Sequence, residues 1–294
     1  MSKVASRLLV FFFGIPIVIG IVIWPVMNHL PLHVLICFAA SAGACELWDI
    51  FSKKHQLLPK KFIVTCSGLI AVVAGLNAVL PDLLGITVPG GQEVVTFVYI
   101  LTLLAILYCE VFNAKEFSES IDRIVSSAFV ITYTGFLMTF ISRMTVWKLN
   151  GESITIPGIC MFLLMVFFTD SIAWFMGVLF GKNNRGFVKA SPNKSLVGFF
   201  GGFLGAIGAG MIGFYVWHDI FDGGLVKLTV TGILIAFSSI VGDLAESVFK
   251  RSADVKDSGH IIPGRGGVLD SIDSIVMSAP VFYLLFSIFF GPFN

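Results

Sequence analysis

Charge is what this sequence has least of. Of its 294 residues only 13% are Asp, Glu, Lys or Arg, where a soluble domain carries about 25%. An ordinary water-exposed surface is thereby excluded. Cysteine is sparse as well: Cys37, Cys45, Cys66, Cys109 and Cys160 stand singly in or beside apolar runs, with no CxxC spacing. That argues against a thiolate metal centre or a disulfide framework and leaves small hydrophobes. There is no Walker loop, zinc spacing or Ser-His-Asp arrangement, so nothing requires a covalent nucleophile. No internal repeat or low-complexity tail interrupts the chain. The net charge of +1 says nothing by itself of nucleic acid, and no nucleic-acid partner is expected.

Apolar residues are abundant. They make up 56% of the chain, with mean hydropathy +0.94. About nine stretches reach the roughly 20 residues that cross a bilayer: 8–27, 30–50, 62–82, 93–112, 122–146, 156–180, 195–217, 225–249 and 268–290. The expected fold is an all-α polytopic membrane protein. Lys3 and Arg7 precede the first run as in a signal peptide, but the run lacks a small-residue cleavage site and reads as a retained span. With the N-terminus in the cytosol, sixteen basic residues fall inside and only Arg143, Lys148 and Lys227 outside, which sets the orientation. The C-terminus is then outside. Chemistry divides the chain into an N-terminal set of spans, 1–150, and a catalytic region, 151–294.

In the first half, Glu46, Trp48 and Asp49 close the second span before SKKHQLLPKK. They read as an interfacial anchor, the other reading being that Glu46 helps line the site. The lysines of loop 52–61 suit anionic head groups.

The second half is different. Asp170 lies deep in the sixth span, and a carboxylate there needs a partner or a cation. Loop 181–195 carries Lys189, Ser191 and Lys194; Ser191 followed by Pro192 reads as the cap of the seventh span, a ready phosphate site. Glycines 198, 201, 202 and 205 in that span read as packing, not chemistry. Asp243, Glu246 and Lys250, three and four apart, share one face of the eighth span, and Asp270 and Asp273 share a face of the ninth. Between them lie Arg251, Lys256, Asp257, Arg265, Gly266 and Gly267. Hard carboxylate oxygens suit Mg²⁺, with a second, monovalent cation as an option. The expected ligands are Asp170, Asp243, Glu246, Asp270 and Asp273. The Gly266–Gly267 backbone offers N–H groups to an anion, and Lys250, Arg251, Lys256 and Arg265 offer charge. Such a set fits phosphoryl or nucleotidyl transfer.

The stretch 238–274 resembles the signature of the CDP-diacylglycerol synthases, the phosphatidate cytidylyltransferases, approximately S-x-x-K-R-x4-K-D-x-G, then P-G-H-G-G, then D-R-x-D. Here it reads Ser247, Lys250-Arg251, Lys256-Asp257, Gly259, Pro263-Gly264, Gly266-Gly267, Asp270 and Asp273. Upstream, TDSIAWFMG, LFGK and ASPNKS are similar to that family's segments, so the likeness covers roughly 165–275. Arg265 stands where the family usually has His, Ser271 where it has Arg, and Val197 where it has an acid. The resemblance implies CTP and phosphatidate as substrates, CDP-diacylglycerol and pyrophosphate as products, and phospholipid biosynthesis in a bacterial inner membrane. It also implies a cytosolic-face site and admits a homodimer. Two rivals remain at this stage: a CTP-dependent polyprenol or phytol kinase, and an ion-coupled transporter.

Overall fold

The computed structural model describes residues 14–88, 90–221, 224–262 and 266–291. The chain is helical nearly throughout. In order come α1 (Ile15–Ile23), α2 (Leu30–Phe51), α3 (Lys60–Leu84), α4 (Gly91–Asn113), α5 (Ser120–Val130), a π-helical turn (Ile131–Phe136) and α6 (Thr139–Met144). A short hairpin follows, β1 (Lys148–Leu149) and β2 (Glu152–Ser153), then α7 (Thr155–Phe180), α8 (Leu196–Val216), α9 (His218–Phe221), α10 (Leu225–Ser252) and α11 (Leu269–Phe290).

Among the described residues, eight helices are long and apolar enough to cross a membrane, the fourth running from Ser120 to Met144 through the π turn. The chain is an all-α polytopic membrane protein. Every end of these eight lies within three residues of its expected place, because an apolar run of spanning length has no alternative to intrahelical hydrogen bonds in lipid. The first expected span, 8–27, falls partly outside the described residues; its described part includes the nine-residue α1. The hairpin was not anticipated. Asn150 and Gly151, at φ 54° and 86°, form the two-residue turn that such positive angles allow.

The chain divides into two compact units, Met1–Arg143 with Phe249–Ile272, and Met144–Val248 with Asp273–Asn294. In the first, α2 packs along α3, and the π turn packs against both. Phe51, Phe129, Tyr133 and Phe249 form one aromatic cluster with ring centroids 5.4–5.8 Å apart. It grips α10 one residue before Lys250. In the second unit α7 and α8 form the most extensive helix pair. Gly198, Gly201, Gly202 and Gly205 face α7, and a Cβ on Gly205 would run into the Phe168 carbonyl. The small-residue stripe thus does what it does in membranes generally, letting two backbones touch. At the end of this unit buried Trp147 stacks on Phe286, 4.9 Å between centroids.

Candidate active site

Most of the candidate residues fall into two groups, one in each unit. In the second unit, Asp170 on α7, Asp243 and Glu246 on α10, and Asp273 on α11 come together from three helices. Glu246 is 1% and Asp273 6% exposed. The Asp273 carboxylate lies near enough to those of Asp243, Glu246 and Asp170 for their charges to bear on it. What brings α10 against α11 is Gly242: a Cβ there would stand 2.6 Å from the Asp273 carbonyl oxygen. Hydroxyls fix the group. Ser239 Oγ donates to Asp170 Oδ1 at 3.3 Å, and Ser274 Oγ donates to the Ser239 carbonyl at 3.2 Å. The Ser274 N–H donates to Asp273 Oδ1 at 2.6 Å. Lys194 Nζ sits 2.5 Å from Asp243 Oδ2.

Beside these carboxylates opens a cleft of about 460 Å³ whose walls include Asp170, Asp243, Arg185, Lys194, Trp174 and Phe187. Lys194 and Asp243 pair in its wall, and Trp174 and Phe187, 70% and 42% exposed, add apolar lining. Among the described residues no three Asp, Glu, His or Cys side chains stand close enough to hold an ion on their own.

Ser191 does not cap α8. Ser191-Pro192-Asn193-Lys194 forms a turn, with the Lys194 N–H on the Ser191 carbonyl at 3.1 Å. Proline at the second position presets such a turn. The cap is Ser195, whose Oγ accepts from the Gly198 N–H at 3.0 Å. Lys189 is exposed on the same loop.

In the first unit the signature loop is closed on itself. Asp270 Oδ1 takes Lys250 Nζ at 2.5 Å. Asp270 Oδ2 accepts from the Ser258 N–H at 3.1 Å, Ser258 Oγ at 2.8 Å and the Gly267 N–H at 2.8 Å. Through these bonds Asp270 ties the two ends of the loop to Lys250. The Gly266 N–H donates to the Ile262 carbonyl at 3.0 Å, so both glycine N–H groups expected to face an anion are taken internally. Arg251, Lys256, Asp257 and His260 are exposed, and Ser247 is half-buried. Arg265, with Pro263 and Gly264, lies outside the described residues.

Glu46 departs from its anchor reading. Trp48 and Asp49 behave as anchors, Trp48 Nε1 donating to the Leu58 carbonyl at 3.0 Å and Asp49 pairing with Lys60 at 2.6 Å. Glu46 instead points inward, 5% exposed. Its Oε1 accepts from the Val268 N–H at 3.0 Å, and its Oε2 from the Leu269 N–H at 2.8 Å. Ser258 Oγ lies 3.2 Å from the same Oε2. Neither Ser258 nor Arg185 stood out from the sequence. For Glu46 the signal was present: a carboxylate inside an apolar helix.

The profile of the cytidylyltransferase family matches residues 5–289. The chain belongs to the cytidylyltransferase family. Its relatives agree with the motif resemblance. It is 40% identical over 123 residues to a phosphatidate cytidylyltransferase of Helicobacter pylori J99, covering 42% of this chain and 44% of that protein. It is 28% identical over 219 residues to the phosphatidate cytidylyltransferase of Thermotoga maritima, covering 74% of this chain and 77% of that one. The enzyme of that name from Pseudomonas aeruginosa PAO1 is 39% identical over 123 residues, 42% of this chain and 45% of that one. The aligned stretches thus span less than half of two of these relatives and about three quarters of the third.

Proposed function

We propose that this chain is a phosphatidate cytidylyltransferase, converting CTP and phosphatidate to CDP-diacylglycerol and pyrophosphate. One observation carries the reading: in a chain of the cytidylyltransferase family, Asp170, Asp243, Glu246 and Asp273 gather from three membrane helices beside a cleft lined by Arg185, Lys194 and apolar side chains. Buried carboxylates in lipid need a cation, and a lipid phosphate with its acyl chains needs a wall of this mixed kind.

A phosphatidate oxygen attacks the α-phosphorus of CTP, and the bond to the β-phosphate oxygen breaks, releasing pyrophosphate. The lipid phosphate is already an anion near pH 7 and needs little help from a base. Arg185 and Lys194 would hold it, with Trp174 and Phe187 toward the acyl chains. Exposed Arg251 and Lys256, with Arg265, supply cations for the triphosphate. Mg²⁺ keeps several waters and takes one or two carboxylates together with substrate phosphates. The carboxylates of Asp170, Asp243, Glu246 and Asp273 fit it in that manner, as an ion arriving with the nucleotide. When bound it neutralises phosphate charge and makes the α-phosphorus more electrophilic. The distribution of basic residues supports a cytosolic-face site with the N-terminus inside, and the bacterial relatives support an inner membrane.

The test uses purified protein, phosphatidate, Mg²⁺ and CTP labelled at either the α- or the γ-phosphate. Label from the α position should enter lipid. Transfer of γ label instead would make the protein a lipid kinase, and no transfer from either would sink the proposal.

A further inference from the structure

We infer that Glu46 is a positioning residue: its carboxylate clamps the neck of the signature loop and so sets where the loop's cations stand. The inference rests on the assignment of those cations to the triphosphate of CTP.

Glu46 is separated from Ser258 by 212 residues and from Leu269 by 223, so no local preference brings them together. A carboxylate buried in a membrane helix is costly unless its oxygens are satisfied. Among the described residues, the hydrogen bonds to the Glu46 oxygens come from the loop: the Val268 N–H to Oε1 and the Leu269 N–H to Oε2, with Ser258 Oγ 3.2 Å from Oε2. The two amides are those of the residue before α11 and of its first residue, where orphan N–H groups and the helix dipole favour an anion. Glu46 therefore supplies, from within the protein, the anion at the start of α11, next to the Gly266 and Gly267 N–H groups that the Ile262 carbonyl and Asp270 take.

The loop is shaped around this side chain. A Cβ at Gly259 or at Gly267 would run into the Glu46 carboxylate, and at Gly267 also into Ser258 Oγ. These positions are where the loop leaves and returns. Between them a two-way pair of backbone bonds, Ile262 to Gly266 at 2.8 and 3.0 Å, closes the tip. Asp270 binds the same Ser258 and ties the neck to Lys250. Removing the Glu46 carboxylate leaves two buried amides without acceptors and frees both strands of the neck. Lys256, exposed on the loop, then loses its fixed origin.

The experiment compares Glu46→Asp, Glu46→Gln and Glu46→Ala in the full chain, with three readouts: amide hydrogen exchange at Val268 and Leu269, the separate KM values for CTP and phosphatidate, and thermal unfolding. In Glu46→Ala, exchange at both amides should quicken by about tenfold or more, since a charge-assisted acceptor is lost. The KM for CTP should rise by roughly 10- to 100-fold with that for phosphatidate unchanged, the loss expected of one or two such bonds. Glu46→Gln keeps one acceptor but turns a donor toward a donor, and should fall between. Glu46→Asp should recover part of the CTP affinity.

A lower kcat with both KM values intact would mean fewer folded molecules and would overturn the inference. So would unchanged exchange at Val268 and Leu269. A wild-type chain that moves no label into lipid would instead overturn the functional reading and the CTP half of this inference. Quickened exchange in the variants would then still uphold the clamp.

Discussion

Asp273→Asn separates catalysis from stability. The side chain is 6% exposed and faces three other carboxylates, with its Oδ1 on the Ser274 N–H at 2.6 Å. Asparagine has the same outline, and its carbonyl oxygen can keep that bond. At about 6 Å and an effective dielectric near 20, two unit charges repel by about 3 kcal/mol. Lys194 against Asp243 offsets part of the crowding. Neutralising Asp273 should therefore leave the metal-free protein as stable as before, or more stable by about 1–3 kcal/mol. Catalysis should move the other way. A divalent ion supplies several kcal/mol of transition-state stabilisation, so losing an anchor should lower kcat/KM by about 100-fold or more. Excess Mg²⁺ should restore part of that activity. The assay pairs α-labelled CTP incorporation into lipid across a Mg²⁺ titration with thermal unfolding in chelator. Unchanged turnover would refute the role given to the carboxylate group. A fall in unfolding temperature would show instead that Asp273 holds the helices together.

Lys194→Met removes the ammonium from Asp243 and from the cleft wall; the KM for phosphatidate should rise by about tenfold, as for a lost charge-assisted bond, with little change for CTP. Gly267→Ala forces a methyl into Glu46 and Ser258, which are buried and held, so it should destabilise by about 1–3 kcal/mol and abolish most turnover. A thermally unaltered, active Gly267→Ala would count against the loop geometry. In a background without the five native cysteines, single cysteines at Lys115 and Lys256 should react with an impermeant thiol reagent only from the cytosolic side. One at Lys227 should react only from the opposite side, and the reverse pattern would invert the proposed orientation.

The spans were legible because lipid allows so few backbone solutions. An apolar run of the right length is a helix there, and its ends follow where polarity returns. The carboxylates were legible for a related reason, since Asp170, Asp243, Glu246 and Asp273 each contradict the solvent around them. The residues missed carry no such contradiction. Arg185 is one basic residue among several in its loop. Ser258 is one hydroxyl in a polar stretch. Ser195, rather than Ser191, caps α8 because Pro192 bends the chain into a turn first.

From the sequence alone follow the membrane class, the helix order, the family motif and the list of acidic and basic side chains able to act on phosphate. All of these depend on periodicity, polarity and spacing along one strand of chain. Which carboxylate answers to which partner depends on distance in space. Asp270 and Asp273 are equivalent by spacing, yet Asp270 is bound by Lys250, Ser258 and Gly267, while Asp273 faces other acids. Glu46 looked like a surface anchor until α2 was found beside the start of α11. Hydrogen bonds act over about 3 Å and are indifferent to sequence separation, so only the folded chain could assign them.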